Sequence, residues 1–217
     1  MRDRFDEQLM LLNKKMTEMG ALCEEVIALS SKALEECDPA LAERVAPRDS
    51  EIDSMERDIE TLCLRLLLQQ QPVARDLRQI SAALKMIADM ERIGDQAADI
   101  ADIVPHLSAP PDGRCGPIRG MARAVIRMVT ESVDAYVRRD TALAEAVIRQ
   151  DDEVDDYFDR VRHALTALIA QDPGEGERAL DLLMIAKYFE RIGDHSTNIA
   201  EWVVFAVTGV HNGVEEL

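Results

Sequence analysis

The sequence predicts an all-α protein built as two tandem three-helix bundles, six long antiparallel helices related by internal duplication. Three observations carry that expectation. Apolar residues recur at spacings of three and four through long segments, the period of one helix face. Proline and glycine concentrate near the midpoint: Pro105, Pro110, Pro111, Pro117, Gly113, Gly116 and Gly120 lie within sixteen positions. The segment Met90-Glu91-Arg92-Ile93-Gly94-Asp95 returns as Phe189-Glu190-Arg191-Ile192-Gly193-Asp194, five consecutive identities at one offset. Residues 1–105 are thus read as the first repeat, 106–117 as a linker and 118–217 as the second repeat.

The first helix spans about residues 3–36, with Leu9, Leu12, Met16, Met19, Cys23 and Val26 as its stripe. Asp38-Pro39 reads as an N-cap followed by proline at the first helical position, opening a second helix that runs to about Gln70. Its stripe is Ile52, Met55, Ile59, Leu62 and Leu66, with Pro47 kinking its start. Pro72 opens the third helix, which carries Met86, Met90, Ile93, Ala97, Ile100 and Val104. Spacings of three and four are those of left-handed antiparallel bundles. In the second half a helix over about 118–138 is the least clearly matched. Val154, Tyr157, Val161, Ala164 and Leu168 then repeat the second stripe. Ile185, Phe189, Ile192, Ser196, Ile199 and Val203 repeat the third, after Asp172-Pro173.

Composition narrows the function. Of 217 residues, 42 are Asp or Glu and 25 are Lys or Arg, a formal net charge of −17. A nucleic-acid binder needs a basic surface to displace counterions, and anionic lipid repels an acidic one. Acidic surfaces attract cations or basic partners. No segment approaches the roughly 20 apolar residues of a membrane span, and no apolar stretch follows the basic start. Cys23, Cys37, Cys63 and Cys115 form no C-x-x-C pair, so reduced thiols in the cytoplasm are the expectation.

The excess acid is organised. Glu91, Asp95 and Asp99 stand four residues apart on one side of a helix, away from its apolar stripe. A solvated face and a cation site both fit this pattern. Two features favour the cation: like charges at this spacing cost a few tenths of a kcal/mol per pair, and no Lys or Arg is interleaved to relieve them. Gly94 and Gly193 also sit mid-helix, where glycine costs about 1 kcal/mol against alanine. With Ala98 and Ala101 the glycine thins the helix edge, so a neighbour carrying Asp49, Asp53, Glu56 and Glu60 can approach. The second repeat offers Asp151 and Asp155, with Phe158 and Arg162 in place of Glu56 and Glu60. Convergent carboxylates suit hard cations; spacing does not separate Mg, Mn, Fe or Ca.

Catalytic motifs are absent. None of His106, His163, His195 and His211 has Glu three residues before it, as a di-iron bundle would require. There is no glycine-rich phosphate loop and no marked Ser or Cys nucleophile. Arg75 and Arg78 suit an anion, but two arginines on an exposed turn are weak evidence, and no basic pocket is visible in the sequence.

At these residues the chain resembles the PhoU family, accessory proteins of bacterial phosphate-specific transport. The resemblance rests on the two Glu-Arg-Ile-Gly-Asp segments, on Gln71-Pro72 followed by Asp76-Leu77-Arg78, and on Thr197-Asn198-Ile199-Ala200-Glu201. Asp49 with Ile52-Asp53, and Asp151 with Val154-Asp155, add to it. It implies a non-enzymatic, cytoplasmic negative regulator of phosphate uptake and of the phosphate-starvation response. Implied partners are the ATPase subunit of the phosphate ABC transporter, the sensor histidine kinase and a second copy of the chain, with membrane contact only through partners. Implied metal ligands are Glu91, Asp95 and Asp99 in the first repeat and Glu190 and Asp194 in the second, supported by Asp53, Asp155, Asp49 and Asp151. They would hold Fe, Zn, Mn or Mg. Asn198, standing where Asp99 stands, makes the second site poorer. The alternative reading is a metal-storage or metal-dependent hydrolytic bundle.

Overall fold

A computed structural model describes residues 2–69, 73–107, 116–211 and 214–215. The elements are α1 (Arg2–Glu36), the single turn α2 (Pro39–Ala42), α3 (Val45–Gln69), α4 (Ala74–Ile103), α5 (Gly116–Arg138), α6 (Thr141–Gln171) and α7 (Gly176–Thr208). Short 3-10 turns follow α4 (Val104–His106) and precede α7 (Pro173–Glu175). A two-residue antiparallel pair, β1 (Val210–His211) with β2 (Val214–Glu215), ends the described chain and has no forerunner in the sequence pattern.

The apolar stripes are where they were read. Leu12, Met16, Met19, Cys23 and Val26 of α1 are fully buried, as are Ile185, Phe189, Ile192 and Ser196 of α7. The helix after Asp38 is interrupted rather than kinked. Its first turn ends at Ala42 and α3 restarts at Val45. Pro47 explains the break: its ring clashes with the carbonyl four residues back, at Glu43, and its nitrogen donates nothing. In the first turn of a fresh helix neither defect costs anything. Pro72 and most of the linker lie outside the described residues.

The duplication extends to the turns. Among the described residues Cys37 and Arg139, 102 positions apart, are the two non-glycine residues with positive φ, at 50° and 58°. Each is followed by an aspartate N-cap: Asp38 accepts from the Ala40 amide at 2.8 Å and Asp140 from the Leu143 amide at 3.0 Å. The left-handed residue turns the chain, and the aspartate caps the next helix.

Helices α1, α3 and α4 pack as one bundle and α5, α6 and α7 as the other. The bundles are not separate bodies. α4 lies antiparallel along α7 in the most extensive helix contact of the molecule, and α1 packs on α5. Among the described residues, the buried apolar side chains join one continuous core. Among the described residues no helix is long and apolar enough to cross a membrane.

Candidate metal centre

The thin helix edges do bring a neighbour close. A Cβ built on Gly94 of α4 would stand 2.5 Å from Asp49 Oδ1 and 3.1 Å from Ile52 Cδ1, both on α3. At Gly193 of α7 the nearest atoms are Asp151 Oδ1 and Val154 Cγ1 of α6, at 3.3 and 3.4 Å. In both repeats an aspartate carboxylate is therefore laid against glycine backbone, the first repeat more tightly.

This seating has electrostatic consequences. Burial pushes the Asp49 carboxyl up to about 6, helped by the negative charges of Asp95, Asp53 and Asp99. Asp49 Oδ1 is buried and has no hydrogen-bond partner among the described residues. Glu91, Asp95 and Asp99 are each raised as well, by burial first and then by neighbouring carboxylates. Asp151 is likewise pushed up to about 6 by burial, then by Asp194 and Asp155, with the nearby Thr197 hydroxyl acting the other way. Asp155 and Asp194 follow in the same direction, burial first and Glu190 next. A nearby positive charge would lower each of these carboxyls again.

Cations of the chain itself are unevenly shared. Lys187 Nζ donates to Glu190 in the second stripe and favours the charged forms of Asp155 and Asp194. In the first stripe Arg92 acts on Glu91, and Arg191 acts on Asp99 from α7. The stripes are thus partly relieved, by residues that helix spacing did not bring forward.

The α4–α7 seam adds groups that periodicity misses. The buried Asp89 carboxylate faces His195 Nδ1 at 2.9 Å and accepts from Asn198 Nδ2 at 3.3 Å. At the repeat-equivalent place Tyr188 stands where Asp89 does, and its hydroxyl faces the Asp99 carboxylate and favours its charged form. The exchange is reciprocal: acid at 99 meets a phenol from the second repeat, and amide at 198 meets an acid from the first. The mismatched pairs Asp89/Tyr188 and Asp99/Asn198 in the duplication were the available signal. Asn198 is thereby engaged in holding the repeats together.

The donor set of the first repeat fits a hard cation in kind. It is all oxygen, it includes an unpartnered buried carboxylate oxygen, and a side chain on Gly94 would obstruct it. The carboxylates are not drawn into a closed cage: among the described residues no three His, Cys, Asp or Glu side chains stand at metal-ligating spacing. The stripe is an open surface on which carboxylates would have to rotate inward to ligate.

A family model described as the PhoU domain matches residues 16–104 and 118–203, one match per repeat. The chain belongs to the PhoU family. A Clostridium acetobutylicum protein described as a phosphate-specific transport system accessory protein PhoU homolog is 35% identical over 210 residues, covering 96% of each chain. A Pseudomonas aeruginosa homolog of the same description is 35% identical over 208 residues, covering 95% of this chain and 86% of that one. Crystal structures of PhoU from P. aeruginosa (TM-score 0.89, 35% identity, covering 95% and 100% of the two chains) and of the phosphate transport system regulatory protein PhoU from Streptococcus pneumoniae (TM-score 0.85, 25% identity, covering 95% and 98%) superpose along nearly the whole length.

Within this PhoU-family chain the two glycines should respond oppositely to alanine. Gly94→Ala places Cβ against Asp49 and Ile52, so the Asp49 carboxylate must swing away, and divalent-cation affinity is expected to fall at least about ten-fold. Gly193→Ala brings Cβ to 3.3 Å from Asp151 Oδ1, the movable end of a side chain that need give by only a few tenths of an ångström, and gains up to about 1 kcal/mol of helix propensity. Thermal denaturation and cation titration of both variants check the pair. Tyr188→Phe removes the hydroxyl facing Asp99; cation affinity of the first repeat should fall several-fold while the melting midpoint moves by less than about 2 °C, since at most one polar contact is lost.

Proposed function

We propose that this protein is a non-enzymatic negative regulator of phosphate uptake and of the phosphate-starvation response. The observation that carries the reading is family membership over both repeats, beside full-length relatives described as accessory proteins of the phosphate-specific transport system. The protein acts through contacts with the transporter's ATPase subunit and the sensor histidine kinase, pairs as a homodimer and works in the cytoplasm. Divalent or trivalent metal ions (Fe, Zn, Mn or Mg) bind the acidic stripes. In the first repeat Asp49, Asp53, Glu91, Asp95 and Asp99 hold them. In the second, Asp151, Asp155, Glu190 and Asp194 hold them less firmly, because Lys187 already neutralises part of that stripe. The chemistry the ions supply is charge neutralisation between α3 and α4, fixing their relative position and the outer surface they present.

Deleting the gene and measuring phosphate uptake and starvation-gene expression in rich phosphate tests the reading. Both should rise; no change in either contradicts it. The rival metal-storage or hydrolytic reading predicts turnover of phosphoesters by the metal-loaded protein, and the regulator predicts none.

A further inference from the structure

The described parts of this acidic chain leave one corner basic. Arg75 and Arg78 lie in the first turns of α4, and Arg139 occupies the left-handed position closing α5. Gln79 fixes their relation. Its side-chain oxygen accepts from Arg139 Nη1 at 3.2 Å, its amide donates to Asn13 Oδ1 at 3.1 Å, and its backbone carbonyl accepts from Tyr136 at 3.3 Å. Arg75 is one turn before Gln79 on the same face and Arg78 directly precedes it, and the charges of both act on Arg139, so cations from the two repeats stand near one another. Burial and the charges of Arg75 and Arg78 disfavour the Arg139 cation, with Tyr136 and Asp76 opposing them.

Two further facts point to a ligand. Arg78 Nε is buried and has no acceptor among the described residues, and an unsatisfied buried donor costs about 1–3 kcal/mol. No ion pair is formed by any of the three arginines with a described carboxylate, whereas half of the other described arginines have one. The start of α4 has no side-chain cap either, since Val73 precedes it. The duplication supplies an internal control. The equivalent corner of the other repeat carries Cys37, Gly174 and Glu177 at the three positions, and Arg178 there is held by Glu175 at 2.8 Å. The arginines are therefore no by-product of the fold.

We propose that Arg75, Arg78 and Arg139 form a receptor for a phosphate-type oxyanion that bridges the two repeats at the head of α4. Planar guanidinium forks match the paired oxygens of such an anion, and a helix start adds its positive end. The oxyanion is free inorganic phosphate, or the same group on a phosphomonoester lipid head group. The site is separate from the acidic stripes and does not rest on the transport reading.

The test is calorimetric titration of the full chain with inorganic phosphate at pH 7.5, with ionic strength held constant by chloride. Saturable binding is expected, weakened at least about ten-fold in Arg75→Gln and in Arg139→Gly, the second chosen because glycine suits its positive φ. Arg123→Gln, on the α1–α5 face, should bind like the wild type and controls for net charge. Vesicles containing phosphatidic acid, compared with neutral ones, assign the source: retention on them with no response to free phosphate places the oxyanion on lipid. Absence of both responses, or equal binding by the wild type and all three variants, overturns the proposal. Either result leaves the gene-deletion test of phosphate regulation standing.

Discussion

Asp49→Asn is expected to stabilise the metal-free protein while weakening its hold on divalent cations. The Asp49 carboxyl is displaced from 3.8 to about 6 by burial and by three carboxylates. A carboxyl whose folded value lies above its unfolded one destabilises the fold wherever it is charged. The full shift would correspond to roughly 3 kcal/mol at neutral pH, but the group is half-exposed, and solvent screening reduces this to about 1 kcal/mol. That is about 2–4 °C in melting midpoint for a chain of this size. The sign gives the pH profile: the folded state binds more protons between the unfolded and folded values, so stability rises as pH falls from about 6 toward about 4. Asp151 shares the displacement to about 6, and Glu91, Asp95, Asp99, Asp155 and Asp194 move the same way. The metal-free protein should melt higher at pH 5 than at pH 7.5, and bound cation should remove the difference. A solvated face retained for solubility would show neither the stabilising substitution nor the loss of affinity.

Phe189→Ala is expected to carry the largest stability cost, about 3–5 kcal/mol from lost burial and the cavity left behind. Phe189 is fully buried in α7, the helix that lies along α4. Because the core is continuous across the repeats, unfolding should remain one transition, shifted down as a whole. Near-ultraviolet circular dichroism and the fluorescence of the single Trp202 should report the same midpoint. Two separate transitions would mean that the repeats unfold independently, against the shared core.

The fold was legible because its information is local. Stripes such as Leu12, Met16, Met19 and Cys23 follow helix periodicity, and Asp38 caps the helix that it precedes. The interruption at Glu43 is not legible in the sequence because Pro47 kinks a helix or ends one according to where the next turn starts, which only packing decides. In the candidate site the partners of one helix face were legible and the seam was not. Gly94 and Asp49 could be related through a thinned edge. The meeting of Tyr188 with Asp99, of Asp89 with His195, and of Arg139 with Gln79 depends on how the repeats dock, and periodicity within one helix carries no record of that. The duplicated sequence held part of it, in the positions where the repeats disagree.

The acidic stripe of the first repeat is expected to bind a cation, and that of the second to bind less. The direct measurement is metal titration of the chelator-stripped protein, with Mn and Zn, for wild type and for Glu91→Gln/Asp95→Asn and Glu190→Gln/Asp194→Asn. The first double substitution should remove the tighter phase, at least about ten-fold in affinity, while the second leaves that phase intact. Superimposable isotherms for all three proteins would contradict the account.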